Sequence, residues 1–235
     1  MMLGQLLTTM AYVVAGWVLV SEARRRRLAT DGMAIVALWG LLGGLLCARL
    51  AHWLLVERQV FLAHPSAFFD PRLGGRTIIA GVAGGWLVVA VAKWRLGIRR
   101  STGDMWALAL PAGEAVGRLG CLANGCCYGA PTTLPWAIWQ HDAWRHPTQI
   151  YSALWAAACY GLLRALRDRL PREGDLFRAY LVLFGLGRSV IEAMRDQGGP
   201  VHGLSQGQQA SLALVAAAVV WHVLTRRASA RAAGC

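Results

Sequence analysis

Charge is what this 235-residue chain has least of, and negative charge above all: 15% of residues are charged, and Asp and Glu together number 12. A soluble domain of this length carries about 25% charged residues, so the composition argues against an ordinary water-soluble protein. Long polar linkers are missing and no repeat is evident, so a single domain over residues 1–235 is expected. The apolar runs are continuous rather than alternating, which excludes a membrane β-barrel. No basic residue precedes the first apolar run, and Arg24–Arg27 follow it directly. That order is the reverse of a secretory leader, so the run is expected to stay as a permanent helix.

What is present is a series of apolar runs bounded by arginines, each near the ~20 residues a helix needs to cross hydrocarbon. Seven are expected as helices, over residues 5–22, 34–56, 77–95, 105–120, 147–166, 175–194 and 206–224. The fold class expected is therefore all-α, a polytopic membrane bundle of about seven transmembrane helices. The 27 glycines suit helices that pack through small faces.

The formal net charge of +12 raises nucleic acid as a partner, but the placement of the charge argues against it. If the helices alternate direction, 16 of the 24 Lys and Arg residues fall on one side, after the first, third, fifth and seventh spans. An excess of Lys and Arg marks the cytoplasmic side. The N-terminus is then outside, the C-terminus cytoplasmic, and no nucleic acid is expected.

Eight arginines remain for the outer half. Arg58, Arg72 and Arg145 read as loop charges. Arg49, Arg118 and Arg188 lie within or near the ends of apolar helices, where an unpaired charge costs about several kcal/mol. Glu114 stands four residues before Arg118 and Glu192 four after Arg188, the spacing of neighbours on one helix face. Two readings follow: structural ion pairs, or an anion site, since planar guanidinium forks suit phosphate. Arg118, Arg188 and Arg195 converge on one outer boundary, which favours a site for a phospholipid headgroup.

Between the fourth and fifth spans runs GRLGCLANGCCYGAPTTLPWAIWQHDAWRHPTQIY, residues 117–151. Its glycines permit close backbone approach to a ligand, and Trp136, Trp139 and Trp144 suit the membrane interface. A re-entrant or surface-lying loop on the outer face is expected. Cys121, Cys126 and Cys127 are half of the chain's six cysteines. They allow a disulfide of Cys121 with Cys126 or Cys127, inert burial, or a thiolate activated by a nearby arginine. C-x₄-C-C is not a usual zinc spacing and no second CxxC appears, so no metal is expected. Cys47 and Cys159 read as core residues, and Cys235 is terminal.

These motifs resemble the prolipoprotein diacylglyceryl transferase family. That family's GR-x-G-N-F-x-N-G-E-x-x-G loop is matched by Gly117, Arg118, Gly120, Asn124, Gly125 and Gly129. Its HPSQLY is matched by His146, Pro147, Gln149 and Tyr151, and its R-x-x-x-E-x-x-R by Arg188, Glu192 and Arg195. Its LS-x-GQ is matched by Leu204, Ser205, Gly207 and Gln208, and its second-helix arginine by Arg49. Four positions depart: Cys121 stands at a family asparagine, Cys126 at a glutamate, Ile79 at the histidine of HGG, and Phe184 at a tyrosine.

The resemblance implies transfer of the diacylglyceryl group of phosphatidylglycerol to the lipobox cysteine of a prolipoprotein signal peptide, at the outer face of a bacterial inner membrane. It implies Arg118 and Arg188 on the lipid phosphate and Gly129 shaping the pocket. Asn124, Gln149, Tyr151, Glu192, Arg195 and Arg49 are implied as substrate-binding residues. With Ile79 at the histidine position, His146 or a cysteine thiolate becomes the candidate proton acceptor. No cofactor is expected. Two rival readings keep the fold: a paralogue serving another acceptor, and a non-catalytic phospholipid-binding membrane protein.

The charge asymmetry makes a topological prediction. A reporter active only in the cytoplasm, fused after Arg227, should give signal, and the same reporter at the N-terminus should be silent. The opposite pattern would reverse the orientation and place the arginine site in the wrong leaflet.

Overall fold

All seven apolar runs become helices. The computed structural model describes residues 2–28, 31–69, 77–170, 172–196 and 203–233; Arg72, Arg76 and Cys235 lie outside them. The α-helices are α1 (Met2–Arg25), α2 (Asp31–Leu55), α3 (Arg58–Ala63), α4 (Ile78–Arg95), α5 (Gly103–Ala123), α6 (Thr148–Leu166), α7 (Asp175–Glu192) and α8 (Gln206–Ala233). Helix α3 is a single short turn-and-a-half that periodicity did not announce. Helix α8 runs beyond the expected end at 224, through an Ala- and Arg-rich segment whose residues favour helix. By length and composition, Met2–Arg25, Gly32–Leu55 and Gln206–Arg227 are apolar enough to cross a membrane. Large apolar side chains such as Val13, Trp17, Leu38 and Val220 point outward, as on a surface covered by lipid rather than water.

The chain forms two compact units, Met1–Arg25 with Ser101–Cys235, and Arg26–Arg100. In the first, α1 packs on α5 through small residues. A Cβ on Gly113 would lie 3.0 Å from the Ala11 carbonyl, and one on Gly120 would lie 3.0 Å from the Gly4 carbonyl. The second unit pairs α2 with α4 in the same manner, Gly81 against the Gly44 carbonyl and Gly85 against that of Gly40. Lipid offers no hydrophobic drive for one helix to seek another, so close approach of backbones supplies the attraction.

The few acidic residues of the first unit hold its ends. Asp104, in the first turn of α5, accepts the Gly174 N–H at 3.0 Å and the Phe177 N–H at 3.2 Å. It thereby satisfies donors that every helix N-terminus leaves open, and caps α7 from a neighbouring helix. Glu22, whose side chain is buried, pairs with Arg25 and with Arg167 at 3.1 Å, while Arg25 reaches Asp168 at 2.6 Å.

The all-α expectation needs one correction. Between α5 and α6 the chain forms an antiparallel hairpin, β1 (Ile138–Gln140) with β2 (Ala143–Arg145). Its two-residue turn, His141–Asp142, has positive φ at both positions, the backbone of a type I′ turn whose twist matches the strands. Such turns usually carry glycine, and its absence hid the hairpin. Trp139 faces Trp144 across the ladder, ring centroids 5.6 Å apart.

Replacing Asp104 tests the inter-helix cap. Asp104→Ala should lower stability by about 1–3 kcal/mol, the cost of stranding buried donors, read as a lower unfolding temperature in detergent. An unchanged unfolding temperature would show that the cap contributes nothing.

Candidate functional site

Two helices of the first unit each present a charged pair at one end. On α5, Arg118 binds Glu114 Oε1 through Nη2 at 2.9 Å and Nε at 3.2 Å, and only 6% of Arg118 is exposed. On α7, Arg188 Nη2 lies 2.6 Å from Glu192 Oε2. Arg195, just past the helix, reaches the same oxygen at 3.3 Å. Arg188 lies within electrostatic reach of Arg118, Arg195 and Glu114 as well as Glu192. Three guanidiniums against two carboxylates leave one positive charge in a low-dielectric setting. An anion is the group that completes such a cluster. From α8, Gly207 presses on Glu192, since a Cβ there would fall 2.7 Å from Oε1.

The loop from Asn124 to Pro147 closes over this cluster through its backbone. Ala130 N–H donates to the Met194 carbonyl at 2.9 Å, Gly129 N–H to the His146 carbonyl at 3.2 Å, and His146 N–H to the Ala130 carbonyl at 3.1 Å. Gly129 is pinched between strands of chain: a Cβ would lie 2.5 Å from the His146 carbonyl and 2.9 Å from that of Met194. Gln149 is fully buried, its amide donating to the Cys126 carbonyl at 2.8 Å and to Gln140 Oε1 at 3.1 Å. Thr148 donates to the Cys127 carbonyl at 2.8 Å. The Tyr151 hydroxyl accepts the Trp136 indole N–H at 2.7 Å. Asn124 ends α5 with its side chain against Gly4 of α1.

Two buried acceptors in this region have no hydrogen-bond partner among the described residues, His146 Nδ1 and Gln149 Oε1. Buried polar atoms are almost always satisfied in native proteins. Such orphans suit the donors of a ligand.

Of the expected site residues, Arg118, Arg188, Glu192 and Arg195 come together, with Asn124, Gly129 and His146 in the loop that closes on them and Gln149 and Tyr151 in the first turn of α6. Arg49 belongs to the other unit. There its Nε donates to the Phe68 carbonyl, with the guanidinium 5.5 Å from the Phe68 ring. Ile79 also lies in that unit, on α4. Arg145, expected to be an ordinary loop charge, is instead the hub of the loop. It binds Asp196 at 2.6 Å, the Gln140 carbonyl at 2.9 Å and the Gly129 carbonyl at 3.2 Å, and stacks 4.8 Å over Tyr128. Asp196 lies 51 residues away, and no local pattern announces such a partner.

The cysteines stand as free thiols, so the pairing of Cys121 with Cys126 or Cys127 is not formed here. Their three sulfurs lie within 4.8 Å of one another. Hydrogen bonds from Cys121 and Cys126 hold the Cys127 thiol far below the ordinary thiol range, and the charges of Arg195 and Arg118 act in the same direction. Cys126 is pushed far above it, because its proton bridges to Cys121 and Cys127.

The pinched glycine gives a direct test. Gly129→Ala should force the loop away from His146 and Met194, costing about 1–3 kcal/mol as overpacking does. Limited proteolysis should cut between residues 124 and 147 faster than in the wild type, and equal rates would show that the loop does not depend on this contact.

The profile of the family described as prolipoprotein diacylglyceryl transferase matches residues 5–224. A phosphatidylglycerol–prolipoprotein diacylglyceryl transferase of Clostridioides difficile (strain 630) is 29% identical over 205 residues, covering 87% of this chain and 82% of that protein. The protein of the same name from Gluconacetobacter diazotrophicus is 34% identical over 203 residues, covering 80% and 72%. The one from Acaryochloris marina is 30% identical over 192 residues, covering 74% and 68%. The match takes in both charged pairs and the loop between them, and the chain belongs to the prolipoprotein diacylglyceryl transferase family.

Proposed function

We propose that this transferase moves the diacylglyceryl group of phosphatidylglycerol onto the lipobox cysteine thiol of a prolipoprotein. One observation carries the reading: among the described residues, Arg118, which is buried, with the half-buried Arg188 and Arg195 carries one positive charge more than the two carboxylates paired with them. A phosphodiester supplies the missing negative charge. The orphaned Gln149 Oε1 suits a hydroxyl of a glycerol headgroup, which a choline or ethanolamine lipid lacks.

In the reaction, the acceptor sulfur forms a bond to the glyceryl carbon as the bond from that carbon to the phosphate oxygen breaks. Negative charge gathers on the departing glycerol phosphate, where the Arg118 and Arg188 guanidiniums stabilise it. Glu114 and Glu192 hold these guanidiniums in place before the lipid arrives, so little reorganisation is needed. The incoming thiol must lose its proton, and Ile79 offers no basic atom. His146 Nδ1, buried and unpartnered, is the acceptor assigned here.

The setting proposed is a single multi-pass domain in the bacterial inner membrane, with seven spans, α1, α2 and α4–α8. The N-terminus is outside, so the site opens to the outer leaflet. Helices α5 and α7 each carry a charged pair, as expected of helices that line a polar site. Exposed Trp136, Trp139 and Trp144 suit the headgroup layer.

The arginines provide the test. Arg118→Ala and Arg188→Ala should each lower transfer by about 10²–10³-fold, the scale of losing one preorganised donor to a developing charge. Membrane insertion should be unaffected. Arg118→Lys and Arg188→Lys should recover little, since the bidentate fork is lost. Wild-type turnover by both alanine variants on purified phosphatidylglycerol and a model prolipoprotein would reject the headgroup assignment.

A further inference from the structure

Of the three cysteines at and after the end of α5, Cys121 and Cys126 replace polar residues of the family loop, and the lipid chemistry above uses none of the three. Their arrangement is built rather than incidental. Cys126 N–H donates to the Cys121 carbonyl at 3.1 Å, returning the chain onto the helix end. Gly125 and Cys127 both take positive φ, 66° and 61°. For cysteine that conformation is uncommon and strained. The Cys126 and Cys127 carbonyls are pinned by Gln149 and Thr148. The backbone is thus held in a costly shape that turns three sulfurs toward a common point.

We propose that Cys121, Cys126 and Cys127 form a tris-thiolate site for a single thiophilic metal ion of the Zn(II) or Cu(I) class. Sulfurs bound to such an ion at about 2.3 Å in a trigonal array would stand about 4 Å apart, and the three here lie within 4.8 Å of one another. An all-sulfur donor set selects soft ions over Mg(II) or Ca(II). A disulfide would use two sulfurs and leave the third idle, whereas an ion uses all three. Each thiol entering the coordination shell releases its proton to solvent. Three thiolates around a divalent ion leave one negative charge, and Arg118 and Arg195 lie within electrostatic reach of these sulfurs. The site is independent of the lipid-transfer reading. Its ligands come from α5 and from the loop, so a bound ion would tie the loop to the helix that carries Arg118.

The experiment uses tag-free, full-length protein in detergent, reduced and stripped of metal, and titrated with Cd(II) as a spectroscopic probe. The expected result is an ultraviolet thiolate-to-metal charge-transfer band that saturates at one Cd(II) per chain, with Zn(II) displacing it in competition. Cys121→Ser, Cys126→Ser and Cys127→Ser should each weaken binding on the order of 100-fold or more, given that even outer-shell partners are worth 10–100-fold. Cys159→Ser should bind like the wild type. A wild-type protein that gives no such band overturns the proposal, as does a band that survives serine at all three positions. Neither result bears on the arginine variants, so the two proposals fail separately.

Discussion

A guanidinium inside an apolar bundle must be balanced, and the rest of this protein is arranged around that requirement. Arg118 is almost fully enclosed, where an isolated charge is heavily penalised. Glu114 answers it from one turn away on the same helix, and Glu192 answers both Arg188 and Arg195. In a chain with only 12 acidic residues, two carboxylates committed to three cations define where an anion belongs. The same economy appears at the opposite, arginine-rich ends of the helices, where Glu22 serves Arg25 and Arg167. Asp104 there serves the start of α7.

Small residues and charge divide the work between them. Contacts such as Gly113 and Gly120 against α1 bring backbones together without side chains between them, which positions α5 closely. Placement of α5 then places Arg118. The loop that follows is irregular backbone, whose buried polar groups must be satisfied within the protein. Its solution is Arg145, which gathers carbonyls of Gln140 and Gly129 together with Asp196, while Gln149 and Thr148 hold the cysteine carbonyls. Hairpin, hub and glycine pinch keep the loop closed around the charged cluster without spending the arginines of that cluster.

The departures from the family pattern fall into two groups with different consequences. Ile79 removes an ionisable group and leaves proton transfer to a residue elsewhere, which is the reason His146 gains weight. Cys121 and Cys126 add sulfur beside Cys127 and convert a polar loop into a thiol cluster. Cys127 sits within the field of Arg118 and Arg195, so the sulfur cluster and the arginine cluster are electrically linked though chemically distinct.

Much of this was legible in the amino-acid order itself, because it depends on short-range rules. Apolar runs of membrane-crossing length located all seven long helices, since hydrocarbon tolerates nothing but internally bonded backbone. Spacing of four residues announced the Glu114–Arg118 and Arg188–Glu192 pairs, since a helix brings such positions onto one face. Other features needed the folded chain. The hairpin was hidden because His141–Asp142 adopts positive φ without glycine. Arg145 read as a surface charge because its partner Asp196 is remote in sequence. The spacing of Cys121, Cys126 and Cys127 argued against a metal, yet the turn through Gly125 and Cys127 brings the three sulfurs together. Periodicity and nearest-neighbour electrostatics act over one or two turns of helix and can be read along the chain. Convergence of distant backbone and the direction in which a strained loop points its side chains are set by packing, and only the tertiary structure decides them.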